Sequence, residues 1–166
     1  MESVLRWGVK ESFRHYVLSS GGRIDLAGLA AEEGEEFLFP LESVDENSDG
    51  DRVLRFAGQV GFHAHGGGLD LRLRDPWIHQ LADETWLTVE VGGDGKEGRT
   101  LLAEIGSRIP VASAGMLIWR EAPSWLALEG TPVFDSIYPP YEVLSPVTFG
   151  RPEESADGAP ADSELS

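Results

Sequence analysis

The sequence predicts a mainly β domain (α+β), an antiparallel β-sandwich or barrel-like body with one N-terminal helix packed on it. Three observations predict it. Short apolar–polar alternating runs recur through the middle of the chain, with turn signals about every 8–12 residues. One segment near the N-terminus carries a helical period instead. From Arg151 the chain turns acidic and almost loses its large apolar side chains. The expected organisation is one domain over residues 1–150 and a disordered acidic tail over 151–166.

The elements follow in order. In "WGVKESFRHYVLSSGG" the residues Val9, Phe13, Tyr16 and Val17 share one helical face, with Glu11 and Arg14 off it. Gly21 and Gly22 supply a left-handed stop. Tyr16 is therefore expected to face the interior. "GRIDLAGL" and "EEFLFPLESV" read as strands, and "DRVLRFAGQVGFHAH" as a longer one bent at Gly58 or Gly61. "LDLRLR" alternates, with Leu69, Leu71 and Leu73 inward. "LADET" has the composition of a helical turn. "TWLTVEV" and "RTLLAEI" flank the hairpin loop "GGDGKEG", and "PSWLALEGTPVF" is a late strand.

Composition narrows the function. The net charge is −16, from 13 Lys and Arg against 29 Asp and Glu. That disfavours nucleic acid and anionic membranes as partners. No apolar run has the length of a membrane helix, so no membrane insertion is expected. The N-terminus carries no apolar export region, so the chain as written reads as cytoplasmic, or as a surface or secreted protein from which a signal has been removed. The absence of cysteine removes disulfides, thiolate metal sites and a cysteine nucleophile. No G-x-S-x-G elbow or dinucleotide fingerprint is present, and no enzyme is expected.

Two motifs read as plain structure. "DENSDG", Asp45–Gly50, begins like a calcium loop, but the position of its final acidic ligand is Phe56, so it reads as a polar turn. His63 and His65 lie two apart on a predicted strand, which puts both on one face. That pair leaves open a metal-ion or ligand-binding module, or simple structural histidines.

A third constellation spans the chain: Tyr16, His65 before a glycine run, and Tyr138 in "FDSIYPPYEVLSPVTF". A phenolate oxygen is an axial ligand suited to haem iron. A phenol, ordinarily ionising near pH 10, needs the metal's charge or a neighbour to bind as the anion, and a histidine can be that neighbour.

"WGVKESFRHYV" resembles the opening motif of the HtaA haem-transport-associated domain, W-G-x-K-x-S-F-x-x-Y. "VGFHAHGGGLDLRLRDP" resembles its central motif, V-x-F-x-G-H-x-G-x-L-D with a following strand and turn. "FDSIYPPYEVLSPVTF" is similar to the closing F-x-x-x-Y segment that ends in L-D-P. The three stand in family order, with Ala64 in place of Gly and Ser145 in place of Asp. The family binds haem at the surface of actinobacteria and related bacteria and passes it toward import. The resemblance implies a haem-binding and haem-transfer domain for ferric haem b, with haem and other haem-transport proteins as partners. It implies Tyr16 as the ligand to haem iron, with His65 and Tyr138 supporting it or the opposite haem face, and Tyr141 as a rival to Tyr138. Trp7, Phe13 and Phe62 are the expected aromatic wall, and Ser12, Lys10, Arg14 and Arg6 the candidate propionate donors. The alternative to this reading, beside the His63/His65 module, is an interaction domain whose haem site has decayed.

Overall fold

The computed structural model describes residues 3–93 and 97–153. In chain order the elements are β1 (Val4–Trp7), α1 (Glu11–Ser19), β2 (Arg23–Ala27), β3 (Ala31–Glu33), β4 (Glu36–Glu46), β5 (Arg52–Phe56), β6 (Gln59–Ala64), β7 (Leu69–Gln80), β8 (Thr85–Gly92), β9 (Gly98–Ile105), β10 (Val111–Ser113), β11 (Met116–Leu126) and β12 (Val143–Pro152). Two 3-10 segments, His65–Gly67 and Leu128–Phe134, connect β6 to β7 and follow β11.

Eight strands close an antiparallel barrel in the order β7, β5, β4, β1, β12, β11, β9, β8 and back to β7. Closure leaves these strands without a free edge. The short strands β3 and β10 pair with β4 and β11 outside the ring. The remaining two, β6 and β2, extend sideways from β7 as a leaf.

One bend makes the leaf. β7 pairs with β6 through Leu69–Ala64 to Arg74–Gln59, and with β5 through Trp77–Arg55 to Gln80–Arg52. β5 and β6 are thus two halves of one long run that breaks at Gly58, one of the two positions the sequence offers, while Gly61 stays within β6. Gly58 has φ 134°, and a Cβ there would lie 2.7–2.9 Å from Ala30. Its amide donates to Asp75 Oδ1 at 3.0 Å, and the Asp75 amide donates back to the Gly58 carbonyl at 2.7 Å. Past this hinge β6 takes β2 as its outer neighbour, and α1 lies over the opening. Phe13 and Val17 of α1 are buried against Phe62, with the Phe13 and Phe62 rings edge-on at 4.9 Å. Burying a side chain of Phe62's size stabilises by roughly 2–3 kcal/mol.

Several expectations change. The helix starts at Glu11. Trp7 belongs to β1 instead, paired with Phe37 and Val147. Val9 sits in a connecting turn with φ 67°, its carbonyl accepting from the Ser145 amide at 2.9 Å. Tyr16 is 46 % exposed, whereas Arg14, expected outside, is 7 % exposed. Arg14 is drawn in because its Nη1 donates to the Gly8 carbonyl at 2.6 Å and its Nη2 to Glu35 at 2.7 Å. "LADET" forms the β7–β8 hairpin turn, with the Leu81 amide on the Glu84 carbonyl, and no helix. The strand in "PSWLALEGTPVF" stops at Leu126, and the rest is 3-10. β12, read only as a motif, is a full barrel stave, and it carries the ordered chain past residue 150: Arg151 is buried and pairs with Leu117. The rest of the acidic tail, 154–166, and the loop positions 94–96 lie outside the described residues. "DENSDG" is a turn, its Asn47 Oδ1 accepting from the Asp49 and Asp51 amides at 2.9 and 3.1 Å. No described helix is long and apolar enough to cross a membrane.

Candidate functional site

A cleft of about 350 Å³ opens at the seam between α1, the start of β7 and the 3-10 segment after β11. Its helical wall is Ser12, Phe13 and Tyr16. Its β7 side is His65, Gly68, Leu69 and Leu71. Its third wall is Val133, Phe134, Asp135, Ile137 and Tyr138. Mostly apolar walls with a few convergent polar groups are what a small-molecule site requires. A larger cleft of about 580 Å³ lies by the β8–β9 hairpin, but Arg72, Arg74, Glu90, Glu97 and Gln59 give it polar walls of both signs.

The polar groups converge at the mouth of the seam cleft. Tyr16 Oη lies 2.6 Å from His65 Nε2, with the rings tilted at 54° and 5.6 Å apart. The helix delivers Tyr16, and a backbone reversal delivers His65. After β6 ends at Ala64, three successive residues take left-handed conformations: His65 φ 56°, Gly66 φ 60° and Gly67 φ 103°. This turns His65 away from the face its strand period predicts. His63 and His65 therefore do not share a face. His63 stays on the sheet, with Nε2 3.3 Å from Asp25 Oδ2 and Nδ1 3.3 Å from Asp70 Oδ1. The shared-face geometry behind a two-histidine metal module is absent. Among the described residues the one metal-compatible grouping is the exposed Glu11, His15 and Glu35, which includes neither histidine.

Of the predicted residues, Ser12, Phe13, Tyr16, His65 and Tyr138 line the cleft. Two do not. Trp7 is buried in the barrel, its Nε1 donating to the Ser145 carbonyl at 3.1 Å, and Phe62 is buried beneath Phe13. Phe62 supports the wall from behind, through Phe13. Tyr138 packs edge-on against Phe134 at 5.6 Å, and Lys10 Nζ stands 5.0 Å over its ring. Tyr141 is 62 % exposed and outside the cleft. Among the expected anion partners, Arg14 is held by Gly8 and Glu35, and Arg6 by Glu33 and Glu36. Lys10 stands beside the cleft and is engaged as well, with Glu142 at 3.0 Å and the Val143 carbonyl at 2.9 Å. The wall from Val133 to Ile137 was missed because that stretch reads as the end of a strand. The chain reversal at Asp135 and Ser136, both with positive φ, brings Phe134 and Tyr138 edge to edge at 5.6 Å, and the F-x-x-x-Y motif is the one trace of it in the sequence.

On the far half of β7, Arg99 and Arg55 lie 3.7 and 4.5 Å from the Trp77 ring, and His79 is 2.9 Å from Thr88 Oγ1. Burial pushes the His79 pKa below its usual 6.5, and the Arg99 and Arg55 charges push it the same way.

The fold and cleft define a helix-capped, eight-stranded antiparallel barrel with a side pocket ending in a phenol–imidazole pair. The HtaA (Htaa) family model matches residues 2–150, and the chain belongs to the HtaA family. The C-terminal domain of HtaA from Corynebacterium glutamicum is similar in structure, with a TM-score of 0.79 at 24 % identity over 90 % of this chain and 95 % of that one. The N-terminal domain of the same protein gives 0.79 at 22 % identity over 93 % and 98 %. The haem-binding protein HtaB from the same organism gives 0.69 at 19 % identity over 90 % and 91 %. No curated protein matches the sequence.

Proposed function

We propose that this domain binds ferric haem b in the seam cleft, with Tyr16 as the ligand to iron, and hands it to another haem-binding or haem-transport protein. The observation that carries the reading is the 2.6 Å contact between Tyr16 Oη and His65 Nε2 at the mouth of an apolar cleft. Haem supplies a ferric centre that favours a hard anionic oxygen. The imidazole accepts the phenol's hydrogen bond and gives its proton a place to go when the oxygen ligates. Phe13, Leu71 and Phe134 are the buried floor and Ile137 the exposed rim against which an apolar plate would lie, and Ser12 and, in exchange for Glu142, Lys10 are the polar groups near it suited to carboxylates. Tyr138 supports the wall opposite the β7 side. Exposure of Tyr16 and Ile137 at the rim, 46 % and 69 %, suits a ligand taken up and given away at the surface. The likeness to the haem-binding HtaB and the family membership support the same reading. The role is binding and delivery, and no reaction on the haem is assigned. The intact Tyr16–His65 pair speaks against a decayed site.

The test is hemin added to purified protein. The expected result is a shifted Soret band with a ferric-tyrosinate charge-transfer feature, abolished in Tyr16→Ala and retained in Tyr141→Ala. A spectrum of free hemin from the wild-type protein overturns the reading. Equal loss in the two variants overturns the ligand assignment.

A further inference from the structure

We infer that His63 is a positioning residue for the Tyr16–His65 pair: with Asp25 and Asp70 it latches β2 across β6 to β7, and so holds the helix bearing Tyr16 against the turn bearing His65. The consequence for haem rests on the site proposed above; the latch itself rests on geometry.

The leaf needs such a device. β2 is its outer strand, and among the described residues only β6 pairs with it. α1 feeds directly into β2 through residues 20–22, while His65 follows β6 by one residue. Any slip of β2 along β6 therefore moves the end of α1, and Tyr16 with it, relative to His65. A phenol–imidazole contact of 2.6 Å has little tolerance for such a slip.

Three observations converge on His63. Its two ring nitrogens face two carboxylates on two different strands, each at 3.3 Å: Asp25 on β2 and Asp70 on β7. Gly61 makes room for the contact, because a Cβ there would lie 2.6 Å from Asp25 Oδ1 and 2.9 Å from His63 Nε2. Asp70 Oδ1 is buried and has no hydrogen bond of good geometry; the nitrogens that face it are His63 Nδ1 at 3.3 Å and Arg72 Nε at 3.8 Å. A buried polar atom with so few neighbours able to donate makes the nearer one hard to replace. The backbone on the inner side is equally tight. A Cβ at Gly22 would collide with the His63 carbonyl, so the α1–β2 turn rests directly on the strand segment that carries His63.

The experiment compares wild type, His63→Leu, His63→Arg and Gly61→Ala. Amide hydrogen exchange of the ligand-free protein reads the latch. His63→Leu is expected to speed exchange across residues 16–26 by about tenfold while β11 and β12 keep wild-type protection. His63→Arg keeps nitrogen donors between the carboxylates and should return most of that protection. Gly61→Ala, which leaves His63 in place but displaces the contact, should fall between. The second readout is loss of bound hemin to an apo-globin scavenger, together with the ferric-tyrosinate charge-transfer band. His63→Leu is expected to release hemin about tenfold faster with a shifted band, and His63→Arg to recover both. Unchanged exchange in His63→Leu overturns the latch. Faster exchange with unchanged hemin loss and an unchanged band overturns the positioning role. If wild type takes up no hemin, the haem reading fails, and the exchange measurements still decide the latch.

Discussion

Along β7 the chain passes between two kinds of surroundings. Its second half, Trp77–Gln80, is a barrel stave with β5 on one side and β8 on the other. There the arginines are engaged: Arg99 is over Trp77, on Thr88 and on the Asp75 carbonyl, and Arg55 pairs with Asp45. Its first half, Leu69–Arg74, carries the leaf and borders the cleft, with Tyr16, Ile137 and Leu18 left exposed nearby. The closed half maximises burial and pairing. The leaf leaves apolar and polar groups uncovered, and the leaf carries the candidate site. Places where burial and satisfaction are incomplete are where a protein keeps capacity to bind something else.

The largest expected effect lies on the closed side. Phe149 is buried and stacks on Trp119 at 5.0 Å, so Phe149→Ala should cost about 3–5 kcal/mol in urea unfolding. Where that variant remains folded, its hemin spectrum should match wild type; an altered spectrum would erase the distinction between the two halves. Next comes Arg14→Ala, at the root of the helix. It leaves the Gly8 carbonyl without its side-chain donor and opens a gap, at about 2–3 kcal/mol. A loss below about 0.5 kcal/mol would mean that Arg14 is no more than a surface residue.

The third prediction concerns pH. His79 has a lowered pKa in the folded state, so between that value and 6.5 the unfolded chain binds the proton that the folded one refuses. Its contribution is therefore fully present above 6.5 and is lost as pH falls through the folded value. His79→Gln should flatten the stability profile in that acid window, as read by thermal unfolding; a profile identical to wild type would remove His79 from the account. The smallest stability effect is expected from Tyr16→Phe. The lost hydroxyl sits on a half-exposed ring, so the change should stay within about 0.5 kcal/mol, while the tyrosinate spectrum disappears entirely.

Much of this was legible in the chain, and the exceptions share a cause. Period-2 runs located β7, β8 and β9, and Gly58 marked the bend, because local pattern and tertiary burial agree there. The opening, central and closing motifs brought Tyr16, His65 and Tyr138 to one cleft. What failed did so where a left-handed residue interrupts a pattern. Val9 delays the helix to Glu11, and His65 leaves the strand period that would align it with His63. Nothing in the side chain of a valine announces a positive φ, and a histidine, though enriched there, mostly takes negative values. Arg14 misled for a different reason: charge suggests exposure, but the buried Gly8 carbonyl and the surface carboxylate of Glu35 together hold its guanidinium down. Trp7 and Phe62 had the right composition for a ligand wall, yet sequence does not distinguish a wall from the layer behind it.

The turn after β6 has one more consequence. Gly66 and Gly67 have positive φ, and a Cβ built on either meets no atom within 4 Å. What excludes side chains there is handedness, since there is ample room. D-alanine, whose mirror-image preferences match such backbones, relieves the handedness penalty and narrows the unfolded ensemble, so a D-alanine variant made by chemical ligation should be more stable to urea than the L-alanine one, in which the turn is strained. The hairpin that aims His65 is thus a place where reversing chirality, with no change in composition, would stiffen the protein.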